Sequence, residues 1–369
     1  MRGMNFIVIV SDTFRFDNLV CYEHIRPRFQ TPLRPVMTPR LDRFAQSAAI
    51  FDNAYIGSFP TAPHRKDLLT RRNVFPWEGW SPLRPDAVTL AGLPGDAGYE
   101  TIMIQDTPHT IQRAFHFERD SQGWDFIRGQ ESDRLASWHS DQPIDPRLVR
   151  GEHNWKQHLA NIAEIRRCEQ DCFVAQTMTR ATRWLERWRE RGSGPFLLYV
   201  DTFDPHEPWD PGEEFVALYP KPDIGWRTYY PPGGKQEDTG LTDEEMEAVR
   251  ATYAARVTQT DHYLGRLLDC ARAKGLMENT LVIFTTDHGT HLGKGKWGHG
   301  ILRKNRPWPF EELAHTPLLI HHPEGHGVGQ RFKTFIQPFD LTATMLDFAG
   351  LEIPGNMDGR SLLGVLSGT

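Results

Sequence analysis

Cysteine is scarce in this chain, and its scarcity excludes a small fold held together by disulfides. The 369 residues contain four cysteines, Cys21, Cys168, Cys172 and Cys270. None of them stands with histidines at the spacing of a zinc site. Cys168 and Cys172 lie four residues apart in a stretch with helical periodicity, so we expect them on one face of a helix.

Long apolar runs and a net positive charge are also missing. The apolar segment near the N-terminus ends at Ser11, which is too short for a signal peptide or a membrane span, so the default expectation is a cytoplasmic protein without a membrane partner. A net charge of -6 gives no general attraction for nucleic acid. An anionic substrate would therefore need a local positive site, built from a metal or a few basic residues.

The composition that is present is typical of an ordinary soluble globular protein. Hydrophobic residues make up 39% and charged residues 24% of the chain, and it contains no internal repeat and no low-complexity tract. Short apolar runs with the pattern of buried strands alternate with helical segments, which predicts a mostly parallel sheet covered by helices. The predicted strands are Phe6–Val10, Ile50–Tyr55, Tyr99–Ile104, Phe196–Val200 and Leu281–Thr285.

Helix boundaries are indicated at several places between these strands. Thr38 and Pro39 begin one helix, and Thr242 with Glu245 forms a capping box for a long one. A long helix is expected over about 155–191, and residues 207–240, rich in proline and glycine, are interpreted as a loop excursion at the active site.

Polar residues follow three of these strands at the point where each ends. Asp12 comes after the first strand, His206 follows Phe196–Val200 within a few residues, and Asp287 and His288 come after Leu281–Thr285. Ligands bind outside the carboxyl ends of parallel strands, and carboxylates with an imidazole are ligands for a divalent cation. The sequence therefore predicts a metal site there, although a single Asp at a strand end is more often a cap or turn residue.

The chain resembles the sulfatase family of the alkaline phosphatase superfamily through a series of motifs in order. They are Asn5 to Thr13, Thr38 to Arg43, Phe51 to Tyr55, Pro63-His64-Arg65, Leu68 to Thr70, Gly98 to Thr101, Asp204-Pro205-His206, Thr286 to Gly289, Thr316 to Ile320, Asp340 to Leu346 and Asp358 to Leu363. The resemblance implies an α/β fold with helices on both faces of a central, mostly parallel sheet. It further implies one catalytic domain over 1–369, with the C-terminal subdomain of relatives short or missing.

The resemblance assigns the metal ligands. Asp12 matches the family's first ligand, and Asp287 and His288 match the pair from a later strand. Thr13 stands where many sulfatases have a second Asp, a form similar to the branch of phosphonate monoester hydrolases. One Mn, Mg or Ca ion is expected, with Mn favoured by the imidazole.

The nucleophile position departs from the sulfatase pattern. Sulfatases have Cys or Ser in a Cys/Ser-x-Pro-x-Arg motif and oxidise it to formylglycine, whereas this chain has Thr61-Ala62-Pro63-His64-Arg65. A threonine cannot form that aldehyde, because its β-carbon bears a methyl group, so no formylglycine is expected. The resemblance implies Thr61 as a metal-bound nucleophile, and helix capping is the alternative role.

The remaining site residues are also assigned by resemblance. Arg65 would orient the nucleophile or bind an anionic oxygen, and His206 would protonate the leaving group, unless it is an ordinary loop histidine. His299 occupies a position where the family usually has an anion-binding lysine.

Four further residues are weaker candidates for substrate binding. Asp106 stands where the family has another anion-binding lysine. Arg15 would orient the site or form a structural ion pair, and His109 and His291 are additional candidates.

These assignments predict a metal-dependent hydrolase that cleaves phosphate or phosphonate esters, either mono- or diesters, by attack of Thr61. The alternatives are a sulfatase that acts without formylglycine, a phosphate-transferring mutase, and a degenerate anion-binding protein without turnover. The expected partner is a small anionic ester, and the sequence leaves a homo-oligomer open. A second metal would require Asp204, His206 and His291 to converge.

Overall fold

An eight-stranded sheet organises the chain in a computed structural model that describes residues 4–145, 147, 149, 151–192, 194–225, 230–304 and 309–368. Its strand order is β11-β2-β10-β7-β1-β5-β3-β4, and a separate sheet has the order β6-β9-β8. The strands are β1 (Asn5–Ser11), β2 (Ala49–Ala54), β3 (Glu100–Gln105), β4 (Gly123–Phe126), β5 (Phe196–Thr202), β6 (Gly234–Lys235), β7 (Thr280–Thr285), β8 (His291–Gly293), β9 (Ile301–Arg303), β10 (Leu318–His321) and β11 (Arg331–Ile336).

The main sheet is mostly parallel, as the sequence predicts. The neighbouring pairs from β7 through β1, β5 and β3 to β4 are parallel, and β10 pairs antiparallel with both β7 and β2. Strands β1, β5 and β7 are buried along their whole length, which agrees with their continuous apolar sequences. Their carboxyl ends lie side by side at one edge of the sheet.

Helices cover both faces of this sheet. They are α1 (Pro39–Ala45), α2 (Thr61–Thr70), α3 (Gly92–Asp96), α4 (Pro108–Ile111), α5 (Glu152–Ile165), α6 (Phe173–Arg191), α7 (Glu213–Val216), α8 (Asp243–Ala273), α9 (Glu311–Ala314), α10 (Pro338–Phe348) and α11 (Leu363–Ser367). Ile7 and Ile9 of β1 belong to the core with α1, α6 and α8. Phe6, Val8 and Val10 belong to the opposite core with α2 and α10, because alternate side chains of a strand point to opposite faces.

The long helix expected over 155–191 is wrong, because the structure has α5 and α6 with a break between them. The Asp171 carboxylate accepts hydrogen bonds from the backbone N–H groups of Arg167 and Cys168, at 2.8 and 3.0 Å, which caps a short 3-10 turn in the break. Cys168 and Cys172 flank that turn and do not share a helix face. Side-chain bonds to the backbone compete here with helical ones.

The capping box of α8 is confirmed. Glu245 N donates to Thr242 Oγ1 at 3.1 Å, and Thr242 N donates to Glu245 Oε2 at 2.8 Å. The excursion over 207–240 contains α7 and β6, and its residues 226–229 lie outside the described ranges. No helix within the described residues has the length and apolarity needed to cross a bilayer.

Candidate active site

The predicted metal ligands meet at the carboxyl edge of the sheet. Asp12 directly follows β1, and Asp287 and His288 follow β7, the parallel neighbour of β1. One ligand atom from each of the three residues lies within 4.8 Å of the others, and all three side chains are buried. The parallel pairing of two strands thus brings together residues 275 positions apart in the chain.

The atoms in this cluster fit a divalent cation. Asp12 Oδ1 and His288 Nε2 are buried and have no hydrogen-bond partner among the described residues. His288 Nδ1 lies 2.8 Å from the carbonyl oxygen of Gly289, to which it must donate, so Nε2 of the neutral ring carries a lone pair. Burial lowers the pKa of His288 to about 4, which keeps the ring neutral near pH 7. Unpaired buried ligand atoms of this kind are costly without a cation.

The pKa values of the two carboxyl groups move in opposite directions. Burial and the neighbouring charge of Asp287 raise the pKa of Asp12 well above its ordinary value. Burial also acts against the ionised form of Asp287, but His288 and Arg65 outweigh it and lower the pKa of Asp287. One proton is therefore favoured on this pair while no cation is bound, and a bound cation would displace it.

Thr13, beside Asp12, has an uncommon backbone conformation. Its φ is 56°, in the left-handed region that β-branched residues rarely adopt, and its N–H donates to Asp287 Oδ1 at 3.2 Å. The Thr13 hydroxyl is buried and has no partner within the described part of the chain. Conformations of this kind persist where the surrounding structure imposes them, often at functional sites.

Arg65 binds the carboxylates of three strands. Its Nε and Nη2 donate to both oxygens of Asp201 at 2.7 and 2.8 Å. Its Nη1 donates to Asp287 at 2.7 Å, to Asp12 at 3.1 Å and to the carbonyl oxygen of Thr61 at 3.3 Å. These contacts favour a role in positioning the ligands and Thr61, rather than in binding the anionic oxygens of a substrate.

Thr61 is the first residue of α2, close to the cluster. One nitrogen of Arg65 contacts both its carbonyl oxygen and the carboxylates of Asp12 and Asp287. Its hydroxyl oxygen accepts a hydrogen bond from Lys304 Nζ at 2.9 Å. A helix N-terminus and an ammonium group both attract negative charge, so an anion is favoured beside Thr61.

The sequence motifs do not identify Lys304 as a site residue. It directly follows β9 and comes five residues after His299, the position where the resemblance places a lysine. The basic pair Arg303-Lys304, immediately after a short apolar strand segment, is the signal that could have identified it.

His206 lies in the same region and is buried. Its ring stacks on Phe203 with 3.9 Å between centroids, and its Nδ1 donates to the carbonyl oxygen of Glu207. Its Nε2 has no hydrogen-bond partner among the described residues. Burial and the positive charges of Lys304 and Arg303 lower the pKa of His206 well below its ordinary value. The ring is therefore neutral near pH 7 in the free protein.

A cavity of about 540 Å³ opens beside Lys304 and His206, and we call it the inner cavity. Trp80, His109, Tyr230 and Arg303 also line it. Its mixture of aromatic and charged walls is typical of a small-molecule site.

Hydrogen bonds and ion pairs connect the polar wall of the inner cavity. His109 Nε2 lies 2.9 Å from Glu131 Oε2, and Tyr230 donates its hydroxyl proton to the other oxygen of Glu131. Arg303 pairs with Glu207 and lies over the Tyr230 ring at 4.8 Å. Although burial acts against ionisation, bonds from His109 and Tyr230 lower the pKa of Glu131 to about 2. Of the weaker sequence candidates, His109 thus lies at the cavity.

The structure places Arg15 and Asp106 in the scaffold, which corrects their assignment to substrate binding. Arg15 is fully buried, pairs with Asp17 at 2.6 and 2.8 Å and donates to the carbonyl oxygens of Thr290 and Trp297. Asp106 is also fully buried and accepts bonds from the Thr177 and Thr202 hydroxyls and from Phe203 N. Burial and the nearby Asp204 raise the pKa of Asp106 to about 7.

His291 and His299 both contact Glu312. Their ring nitrogens lie 3.1 and 3.4 Å from Glu312 Oε1, and the His299 ring stacks on Phe310. His299 lines a different cavity from the one that contains His206 and Lys304. These positions do not support His299 as the residue that contacts the substrate anion, whereas Lys304 lines the cavity that contains His206.

The residues named for a second metal have separate partners. Asp204 pairs with Arg256 at 2.5 Å, whereas His291 pairs with Glu312. Within the described residues, Asp204, His206 and His291 do not form a group with metal-ligand spacing.

Comparisons with known proteins agree with this geometry. The family model described as Sulfatase matches residues 4–351. The chain is 26% identical over 365 residues to arylsulfatase K of Xenopus laevis, a match that covers 90% of this chain and 62% of that protein. It is 29% identical over 375 residues to an arylsulfatase of Clostridium perfringens (strain 13 / Type A), covering 89% and 73%. The chain thus spans less than two thirds of the length of the Xenopus relative.

The fold has close counterparts among solved structures. The phosphonate monoester hydrolase of Agrobacterium radiobacter superimposes with a TM-score of 0.73 and 20% identity, over 99% of this chain and 77% of that one. The α/β fold expected from the sequence is therefore confirmed.

Proposed function

The chain belongs to the sulfatase family, whose members are metal-dependent, and from this premise we propose that it hydrolyses phosphate or phosphonate esters with Thr61 as nucleophile. The observation that carries the proposal is the Thr61 hydroxyl, which accepts a hydrogen bond from Lys304, a lysine whose charge also lowers the pKa of both Asp12 and Asp287. The likeness to a phosphonate monoester hydrolase supports the same reaction class.

Asp12, Asp287 and His288 would hold the cation, and Mn is favoured for two carboxylates with one imidazole. A divalent cation bound there supplies Lewis acidity, which polarises an ester oxygen and lowers the pKa of a nearby hydroxyl. Arg65 keeps the two ligand carboxylates and the first turn of α2 in place.

In the proposed reaction a lone pair of Thr61 Oγ1 forms a bond to phosphorus, and the hydroxyl proton passes to water. The bond from phosphorus to the leaving oxygen breaks, and its electron pair stays on that oxygen. Water then attacks the phosphothreonine, so that Thr61 is regenerated and phosphate or phosphonate is released. Lys304, which donates to Thr61 in the free protein, would stabilise the negative charge on the phosphoryl oxygens.

His206 would protonate the leaving oxygen. In the free protein its pKa is low because of burial, Lys304 and Arg303. An anion bound beside Lys304 offsets those positive charges and raises the pKa of His206, so that the ring gains the proton that a general acid needs.

The test is a panel of phosphate monoesters, phosphate diesters, phosphonate esters and aryl sulfates, assayed with the wild type and with Thr61→Ala under metal replacement. We expect activity on a phosphorus ester that Thr61→Ala lowers by at least about 10³ and Thr61→Ser largely keeps. Thr70→Ala, at the other end of α2, is the matched control. Full activity of Thr61→Ala would refute the mechanism.

Sulfate ester hydrolysis without formylglycine is the second candidate, because the similar curated proteins include arylsulfatases. It predicts sulfate release from the aryl sulfate, dependent on Thr61, that exceeds phosphate release from the matched ester. Anion and metal binding without any turnover that depends on Thr61 would instead indicate a degenerate binding protein.

A further inference from the structure

The inner cavity adjoins a second cavity of about 570 Å³, lined by the exposed residues Arg113, Arg134 and His153, which we call the outer cavity. The two share Trp80, His109 and Asn154 as walls, so together they form one cleft that leads away from Thr61 and Lys304. A phosphoryl group at Thr61 would leave the outer cavity to the alcohol half of an ester.

Two unpaired cations line the outer cavity. Arg113 and Arg134 are exposed, and within the described ranges neither guanidinium has a hydrogen bond or an ion pair. An arginine without a carboxylate partner can bind a phosphate, sulfate or carboxylate of a ligand by two parallel hydrogen bonds.

The carboxylate that lines the outer cavity, Asp133, already has a positive partner. Asp133 accepts two bonds from Arg128, at 2.7 and 2.9 Å, one from Gly129 N and one from Gln112. In the inner cavity, Glu131 is similarly engaged with His109. The charge left free in the outer cavity is therefore positive.

The N-terminus of α5 favours the same ligand. The first turn of α5 supplies His153 and Asn154 to the wall, and its N-cap Gly151 has no side chain to bond the free N–H groups.

We propose that Arg113 and Arg134 form a second anion-binding site, and that the substrate is an ester whose alcohol part carries a further phosphate, sulfate or carboxylate group. Trp80, 46% exposed and shared by both cavities, would pack against the segment that joins the two anionic groups, such as a sugar ring. The inference rests on the proposed function, since it takes Thr61 as the place where the ester is cleaved.

The test compares trehalose 6-phosphate with trehalose 6,6′-bisphosphate, and the matching mono- and disulfates, by titration calorimetry on metal-loaded Thr61→Ala protein. We expect the doubly charged ligand to bind at least about tenfold more tightly, because it gains charge-assisted bonds to the two arginines. In the Arg113→Ala/Arg134→Ala protein the ratio of the two affinities should fall to about two, which is the statistical value for a ligand with two equal ends. In the wild-type arginine background, 0.5 M salt should lower the ratio as well.

Two further proteins control for charge and for folding. Arg183→Ala/Arg187→Ala removes two exposed arginines of α6 and should keep the tenfold ratio, and Arg113→Lys/Arg134→Lys should keep part of it. Any of three results overturns the proposal. The first is an affinity ratio of about two with both arginines present, the second is a tenfold ratio without them, and the third is no binding of either ligand.

Turnover of the same ligands by the wild type separates the two proposals. If hydrolysis depends on Thr61 but the affinity ratio is only about two, the proposed function stands and the anion site in the outer cavity is refuted. If the affinity ratio depends on the arginines but no ligand is hydrolysed, the anion site at Arg113 and Arg134 stands and the proposed function is refuted.

Discussion

The two ends of the cleft are built in different ways. Around the inner end, Asp12, Arg65 and Asp287 are buried and joined by ion pairs, and the buried His206 has an Nε2 atom without a hydrogen-bond partner among the described residues. At the outer end, Arg113 and Arg134 are exposed on the wall, and neither guanidinium has a hydrogen bond or ion pair with another described residue. Buried charges tolerate little change, whereas exposed side chains can adapt to different ligands. We therefore expect changes at the inner end to lower kcat and changes at the outer end to raise KM.

The largest effect is expected from Asp12→Asn, which removes one negative ligand and one partner of Arg65. Metal bound after gel filtration should fall below one ion per chain, and kcat/KM should fall by about 10³ or more. Metal analysis and steady-state rates check this. Asp86→Asn, an exposed residue paired with Arg84, should change neither. If Asp12→Asn kept the metal content and the rate of the wild type, the expected sensitivity of the inner end would be contradicted.

His206→Asn tests the general acid. It should lower kcat by about 10² to 10³ for an alkyl ester and much less for a nitrophenyl ester, whose leaving oxygen needs no proton. Rates over a series of leaving groups measure the difference, and His116→Asn, at an exposed position, is the control. Equal losses for both esters would assign His206 a role other than proton donation.

Lys304→Ala should lower kcat by about 10², because it removes a cation beside the transferred group. Lys304→Arg should recover part of the rate, and Lys333→Ala, exposed on β11, should keep all of it. A loss confined to KM would show that Lys304 binds the ground state and the transition state equally.

Acid should lower the free energy of unfolding through a buried histidine near the inner end. Burial lowers the pKa of His64, on α2, to about 3. Below about pH 6.5 the His64 ring is protonated in the unfolded chain but stays neutral in the folded chain. The free energy of unfolding therefore has its full value above pH 6.5 and falls as the pH is lowered. Between pH 7 and pH 5 we expect His64 to contribute a loss of about 2 kcal/mol.

Urea unfolding of chelated protein at the two pH values measures this loss. The loss should be smaller in His64→Asn and unchanged in His153→Asn, whose ring is exposed at the outer end. The same pH dependence in wild type and His64→Asn would contradict the prediction.

The smallest effect is expected from Trp80→Ala. It should raise KM roughly three- to tenfold for esters with a ring-containing leaving group, because a partly exposed contact is lost, and leave kcat for a methyl ester unchanged. Trp124→Ala, about equally exposed on β4, is the control. A fall in kcat would mean that the outer end also shapes the inner one.

The sequence predicts the metal cluster well because each ligand follows a buried strand, and parallel strands bring such positions together. It does not predict Lys304, because that lysine follows a three-residue strand in a segment whose path depends on distant contacts. It also overestimates the helix over 155–191, since helical periodicity continues on both sides of a break that the Asp171 side chain imposes.

Asp106 and Arg15 illustrate a second limit. Both carry charge close to a strand end, which is the pattern of a site residue, yet their bonds connect elements of the scaffold. Charge and position in the sequence are the same for a supporting residue and a catalytic one. The difference lies in the partners, which only the folded arrangement supplies.

The contacts of Arg65 also have a consequence for folding and metal loading. Its guanidinium lies among Asp12, Asp201 and Asp287, so these carboxylates have a positive partner before any ion arrives. We therefore expect the chain to fold before it takes up an ion, and a chelator to remove the ion without unfolding the protein. The supply of metal, rather than the rate of synthesis, would then set how many molecules are active at a given time.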